Sequence, residues 1–416
     1  MLGGANTYTG TTTVSAGTLN LGGSLNTGSA LAVSGGTLDL QSNNQQVAGV
    51  QLTGGAIGNG TLTLNAGNYD LQSGTVSAAL AGTAGANKTT SGTVTLSGAN
   101  TYAGTTTVSE GTLSLSGGSA IADTGAVVLA NVAGVTLNLV NSETIGNLAG
   151  GGAAGGNVTP NANTLTTGGA GNTTFGGVIS GAGALSKQGG GTFTLTGANT
   201  YTGTTTISAG TLKIGSGGAT GAIASASVVD NATLQFNRSN ALSFGGIISG
   251  TGGITQAGTG TTTLTAANTY DGVTAVASGT LVAANSAALG SVAGGTAVTS
   301  GATLQIANVA IGNEAVTLNG NGVGGNGALS ATGSVSLAGG VTVNTASTVG
   351  VATGADALTL AGAVDGPGAL SLTGAGSVTL GGTVGSTTAL VSLAQSAATT
   401  LNLNGGLVRT TGNQTV

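Results

Sequence analysis

The sequence predicts an all-β chain wound as a right-handed parallel β-helix, a solenoid of roughly 18 coils of about 23 residues. Three observations predict it. A phrase recurs four times: NTYTGTTTVSAGTL at Asn6 to Leu19, NTYAGTTTVSEGTL at Asn100 to Leu113, NTYTGTTTISAGTL at Asn199 to Leu212 and NTYDGVTAVASGTL at Asn268 to Leu281. Inside and around it, apolar and polar residues alternate with the period of two that places them on opposite faces of a strand. A short strand, Thr-Leu-x-(Leu/Ile/Phe), then returns along much of the chain with a polar residue at x.

The tyrosines of the four copies, Tyr8, Tyr102, Tyr201 and Tyr270, fall 94, 99 and 69 residues apart. Each interval is near a multiple of about 23 to 25 residues, inside the range that marks stacked repeats. In the third copy the alternation runs through Thr192 to Leu195, Thr205 to Ser208 and Thr211 to Ile214. Gly197-Ala198-Asn199 and Ala209-Gly210 separate these runs, and Gly and Asn tolerate the positive φ angles of tight corners. Three such strands with their corners are expected to make one coil.

The Thr-Leu strand starts at Thr18, Thr37, Thr61, Thr112, Thr136, Thr211, Thr233, Thr303 and Thr400. Its x position holds Asn20, Asp39, Thr63, Ser114, Asn138, Lys213, Gln235, Gln305 and Asn402. The same side of the helix is therefore expected to return at each turn. A single β-helical repeat domain is expected over 1–416, with strong repeats around 6–21, 93–115, 175–214 and 244–281 and degenerate coils over 282–416. The run Gly150 to Gly156 and Pro160 predict a longer corner. MLGGANTY enters in mid-repeat without a charged or apolar leader, so the chain reads as a segment of a longer protein that lacks its signal peptide.

Composition agrees with stacking. Gly accounts for 84 residues, Pro for 2 and charged residues for 4%, a mixture unlike collagen or a charged disordered chain. Equivalent side chains in stacked coils lie about 4.8 Å apart, so like charges would repel along the stack while Thr, Ser and Asn can pair. The net charge is −5, and Lys88, Lys187, Lys213, Arg238 and Arg409 are scattered. Nucleic acid is excluded as a partner by the absence of a basic cluster. No run of about 20 apolar residues is present, so this segment is not expected to insert in a membrane.

With no His and no Cys, the Ser-His-Asp and Cys-His nucleophile systems and the usual zinc sites cannot form. No cofactor or metal is expected. Carboxylate chemistry remains, with Asp39, Asp70, Asp123, Asp230, Asp271, Asp356 and Asp365 as candidates, yet no two of them are placed to form a pair. G-x-G-x-x-G at Gly150-Gly152-Gly155 and Gly320-Gly322-Gly325 is expected by chance at this glycine content. The pairs Thr11 and Thr13, Thr105 and Thr107, and Thr204 and Thr206 are expected to point outward, as in an ice-binding array, but Val273 and Ala275 interrupt the series. The corner tyrosines are expected to cover the core rather than to serve as platforms for sugars.

The longest form of the phrase, L-x-K-x-G-x-G-T-x-T-L-x-G-x-N-T-Y-x-G-x-T-T-V/I-x-x-G-T-L from Leu185 to Leu212, resembles the autotransporter-associated β-strand repeat, also called the passenger-associated transport repeat. The resemblance implies a stalk or adhesin segment of a bacterial type V passenger, surface-exposed or secreted, exported through a C-terminal translocator barrel in the outer membrane. Host or cell-surface molecules, or further copies of the chain, are the implied partners. The structural repeat corner is assigned to Asn6, Tyr8, Gly10, Asn100, Tyr102, Gly104, Asn199, Tyr201, Gly203, Asn268, Tyr270 and Gly272, and no catalytic site is expected. Two alternatives belong to other classes: a polysaccharide-processing β-helix enzyme and an ice- or crystal-binding one.

Overall fold

A computed structural model describes residues 1–396 and 399–416, so the degenerate coils expected over 282–416 are described except at 397 and 398. The chain forms two compact units, Met1–Gly210 with Gly221–Ser225, and Thr211–Thr220 with Ala226–Val416. Each is a right-handed parallel β-helix. Strand joins strand in parallel ladders, as Thr106–Val108 with Ala126–Leu129 in the first unit and Thr211–Ile214 with Thr233–Phe236 in the second.

Each coil has three sides. In the first unit one coil runs through Thr106–Val108, Thr112–Leu115 and the segment at Ala120 and Ile121. The next runs through Ala126–Leu129, Thr136–Leu139 and Glu143–Ile145. The three runs of a repeat are not, however, the three sides of one coil. Thr93–Leu96 pairs residue for residue with Thr112–Leu115, and Thr261–Leu264 with Thr280–Ala283. The strands that flank each corner are therefore the same side in consecutive coils.

What reads as a corner is itself a side. Thr101 N–H donates to Leu80 O at 2.8 Å and Ala103 N–H to Gly82 O at 2.9 Å, one coil back, while Asn100 N–H donates to Ser119 O at 3.0 Å, one coil on. A segment rich in Gly and Asn looks like a turn by composition, but its backbone is bonded as a strand is.

The Thr-Leu strand also changes sides. Thr37 pairs with Thr18 and with Ala56, whereas Thr61 pairs with Asn44 and Ala79. Between them the strand Ala56–Leu64 bends at Asn59 (φ 58°) and Gly60 (φ 140°), so one continuous strand rounds a corner of the coil. The motif marks a half-buried strand, not a fixed side of the helix.

In the first unit, in-register partners stand from 17 residues apart, at Asn68 and Gly85, to 25, at Gly150 and Phe175. Steps of 19 to 21 prevail in the first unit, shorter than expected from the tyrosine spacing. The long step comes from the predicted insertion, which closes as a tight turn with Gly152 N–H on Gly155 O at 2.8 Å. Pro160 is not part of that loop. It sits in the strand Asn157–Asn161, where the register slips between Val158 and Asn161, a place in a ladder that tolerates a residue without an N–H.

The lumen is filled by aliphatic columns. Val94, Leu113, Leu137, Val158 and Ile179 lie above one another in register and are all buried. Leu212, Leu234 and Ile254 do the same in the second unit. Each such side chain stabilises the fold by roughly 1.5–3 kcal/mol. The alternation of the sequence is the record of this lumen.

Candidate functional site

The corner residues recur at every second position, and the period-two rule extends through them to a residue that sequence reasoning missed. Asn100, Tyr102 and Thr106 are buried, as are Asn199, Tyr201 and Thr205, and Asn268, Tyr270 and Thr274. Gly104, Gly203 and Gly272 take the place between Tyr and Thr. The middle threonine of each triplet thus faces inward, and the outer two are exposed or half-buried.

The asparagine clamps three coils together. Asn268 Oδ1 accepts Ile248 N–H at 2.9 Å and its Nδ2 donates to Ala288 O at 2.7 Å. Asn100 does the same with Leu80 N–H (2.7 Å) and Ala120 O (2.7 Å), and Asn199 with Ile179 N–H (2.9 Å) and Ala222 O (2.9 Å). None of the four corner asparagines has positive φ. They are selected for a carboxamide that offers an acceptor and a donor together, not for a left-handed backbone.

Tyr102, Tyr201 and Tyr270 each bond the inward threonine four residues on, at 2.6, 2.7 and 2.6 Å. Tyr8 makes the same bond to Thr12 at 2.6 Å but remains 41% exposed. Burial pushes the Tyr69 and Tyr102 hydroxyls up to about 12, and those of Tyr201 and Tyr270 higher still. Tyr69, outside the corner motif, packs its ring 6.1 Å from that of Tyr102 and bonds Leu62 O and Ala81 O. These four rings fill the lumen, so no face of theirs is free to stack on a sugar.

The corner glycines act by close approach. A Cβ on Gly104 would stand 2.4 Å from Gly85 N, and one on Gly203 or Gly272 2.4 Å from the carbonyl oxygen of Gly183 or Gly252; around Gly10 the space is open. The positive φ belongs instead to the glycine of the Gly-Thr-Leu step, as at Gly111 (65°) and Gly279 (59°).

Two of the lysines that are scattered along the sequence are buried parts of the repeat. Lys88 Nζ donates to Thr90 O and, at 3.0 Å, to Glu110 O one coil on; Lys187 Nζ donates to Gly189 O and, at 3.2 Å, to Ala209 O. Gln256 fills the equivalent place, bonding Gly258 O at 2.8 Å and Gly260 O at 3.2 Å. Burial lowers the pKa of both ammonium groups, with Glu110 opposing the shift at Lys88. The apolar-polar pattern hides them, because each ends a strand at an inward position.

The candidate acids are spread over separate hydrogen-bond sets. Asp39 and Asp356 accept backbone N–H bonds, from Gln41 and from Gly333 and Thr353, which lower their pKa values. For Asp70 burial is the largest influence, but donors from Gln51, Gln72 and Thr89 outweigh it and the pKa falls. Asp230 is buried and pushed up to about 6 by desolvation, against bonds from Ala232 N–H and Leu234 N–H. Asp271 and Asp365 accept from Ser291 and from Thr387 N–H. In register, Asp39 lies beside Asn20 and Gly58, Asp70 beside Gln51 and Asn87, and Asp365 beside Thr342. Sequence reasoning missed Glu143 and Glu314, both buried. Burial raises the pKa of each, and at Glu143 the charge of Asp123, twenty residues back, adds to it.

The outward threonines do not form a continuous array. Thr13 lies beside Ala32, Thr107 between Asn87 and Val128, and Thr206 beside Ser186. Among the described residues no cluster of three potential metal ligands occurs.

The repeating geometry coincides with a known family. The passenger-associated-transport-repeat matches residues 1–21, 87–115, 185–214 and 254–283, and the last three of these segments carry the asparagine clamp and the buried lysine or glutamine. The chain carries the repeats of an autotransporter passenger. It is similar to the Adhesin BmaC autotransporter of Brucella suis biovar 1 (strain 1330), 47% identical over 97 residues, which is 22% of this chain and 3% of that protein. The match therefore takes in a small part of that adhesin. No solved structure matches the chain. Within the passenger repeat, Asn100, Asn199 and Asn268 join a coil to the one before it and the one after it, while the tyrosines bond a threonine four residues on.

Proposed function

We propose that this chain is a structural stalk and adhesin segment of a bacterial type V passenger, displayed at the cell surface or released from it, with no catalytic site of its own. The observation that carries this reading is the use of the repeat's polar side chains. Asn100, Asn199 and Asn268 each bond two neighbouring coils, and Lys88 and Lys187 bond backbone carbonyls. The most regular part of the sequence is spent on holding coil to coil, as a spacer requires. A C-terminal translocator barrel in the parent protein would carry the segment outward, and host or cell-surface molecules, or further copies, would meet its exposed sides.

The test is display. The segment placed between a signal peptide and a translocator barrel should become accessible to protease on intact cells and should increase their attachment to host-cell or matrix surfaces over the barrel alone. Retention inside the cell would overturn the passenger reading. Turnover of a polysaccharide, lost on changing one of the seven aspartates, would overturn the non-catalytic one.

A further inference from the structure

We propose that the second unit carries a binding pocket for a primary alkylammonium group, with Glu314 at its floor. A cavity of about 100 Å³ opens there, lined by Leu289, Gly290, Val292, Ile311, Gly312 and Glu314 among others. Its walls are apolar and it holds one buried carboxyl, 3% exposed.

That carboxyl is not used as its counterparts are. In two other repeats the chain places a carbonyl-bearing side chain above the segment that the corner asparagine caps, and it accepts a backbone N–H. Asn6 bonds Ser24 O and Gln45 Oε1 accepts Leu25 N–H at 3.0 Å; Asn100 bonds Ala120 O and Glu143 Oε1 accepts Ile121 N–H at 2.7 Å. In the Asn268 repeat the clamp reaches Ala288 O, but Glu314 Oε1 turns to the hydroxyl of Thr296 at 2.7 Å. Among the described residues only Glu314 Oε1 takes a hydrogen bond, that of Thr296, and Glu314 lines the cavity.

A buried carboxylate without a cation is costly, and the chain supplies none nearby in sequence. No Lys or Arg occurs between Arg238 and Arg409. Burial accordingly raises the pKa of Glu314, and a bound cation would restore the ionised form. The lining selects among cations. One carboxyl and one hydroxyl fall short of the six to eight oxygens that calcium takes, and no aromatic cage is present among the lining residues for a quaternary ammonium. A primary ammonium has N–H donors for Oε2, and its alkyl stem fits Leu289, Val292 and Ile311.

The experiment is an NMR titration of the full chain, following the amides of Leu289, Gly290, Ile311 and Gly312. The probes are propylammonium chloride and Nα-acetyl-lysine methylamide, with 1-propanol and tetramethylammonium chloride as controls at matched ionic strength. Saturable shifts are expected with propylammonium, at a midpoint at least tenfold below that of propanol, and at least a tenfold weakening in Glu314→Gln. Gly312→Val provides a second block, because a Cβ there meets nothing within 4 Å and the backbone is not left-handed; it should fill the mouth and abolish the shifts while the rest of the spectrum is kept. Saturation by propylammonium alone supports a free amine as the ligand, and saturation by both probes supports a lysine side chain of a partner as well. No saturable shift from either, an equal response to propanol, or unchanged binding in folded Gly312→Val would overturn the proposal.

Discussion

Asn268 Oδ1 accepts the backbone N–H of Ile248 at 2.9 Å, across twenty residues and one coil. On the opposite side the same carboxamide donates to Ala288 O at 2.7 Å. Removing it strands a buried donor and a buried acceptor, each of which costs about 1–3 kcal/mol. Asn268→Ala is therefore expected to lose about 2–5 kcal/mol in the denaturant transition of the second unit. Among the described residues the Asn6 carboxamide bonds only Gly4 O and, one coil on, Ser24 O, and it is not fully buried, so Asn6→Ala should cost under about 1 kcal/mol. Equal losses at the two positions would show that the clamp is not what stabilises the corner.

Gly104 and Gly10 hold the same place in the repeat but differ in what lies against them. A Cβ at Gly104 meets Gly85 N at 2.4 Å and Ala84 C at 2.6 Å, both backbone atoms that cannot rotate away, while a Cβ at Gly10 meets nothing within 4 Å. Overpacking of this kind costs about 1–3 kcal/mol. Gly104→Ala should fall in that range, and Gly10→Ala should stay within about 0.5 kcal/mol. Thermal or denaturant melts of the two variants decide it, and a neutral Gly104→Ala would mean that the coils can separate at the corner without loss.

The alternation made the solenoid legible, because inward and outward residues must alternate on a parallel strand and the Leu, Val and Ile columns do so throughout. Which strands share a coil was hidden for the same reason that makes the fold regular. Thr93–Leu96 and Thr112–Leu115 are alike because they stack on each other, and likeness within a repeat reads as succession within a coil. The asparagine corner was visible as a pattern, yet its mechanism was not, since Asn serves equally well in turns. Lys88 and Lys187 were concealed because charge is usually solvated, and only the carbonyls around them explain their burial. Glu314 gives no sequence signal, since its setting depends on which segment the coil before it presents.

Leu212 and Lys213 test the face assignment at adjacent residues. Leu212 is buried between coils, pairing with Leu234 above it, and Lys213 is half-buried beside Gln235. Leu212→Asp puts a carboxylate in a dry stack and should cost more than about 3 kcal/mol. Lys213→Thr replaces a half-buried charge by a good strand residue and should stay within about 0.5 kcal/mol. Denaturant melts showing the reverse order would mean that the strand is turned over.

Asp230 gives the chain a stability that falls as pH rises through the acidic range. Its carboxyl is buried and its pKa lies at about 6, above the ordinary 3.8, because desolvation outweighs the two backbone N–H bonds it accepts. A group whose folded pKa is raised stabilises the fold fully below its unfolded pKa, and that contribution is lost as pH rises through the folded value. Between about pH 4 and pH 7 the loss should reach roughly 3 kcal/mol. Glu143 and Glu314, whose pKa values burial also raises, change stability in the same sense above the ordinary carboxylate range, so the measurement is the difference between the wild-type chain and Asp230→Asn. The asparagine cannot ionise, and it keeps an acceptor for Ala232 N–H while weakening the bond to Leu234 N–H. The variant should therefore be less stable than wild type at pH 4, by about 1 kcal/mol for the weakened bond, and equal or more stable at pH 7. Denaturant midpoints taken across that range should cross. A difference that stays flat would show that Asp230 ionises in the folded chain at its ordinary pKa, and one that favours wild type more strongly as pH rises would show that it ionises below it.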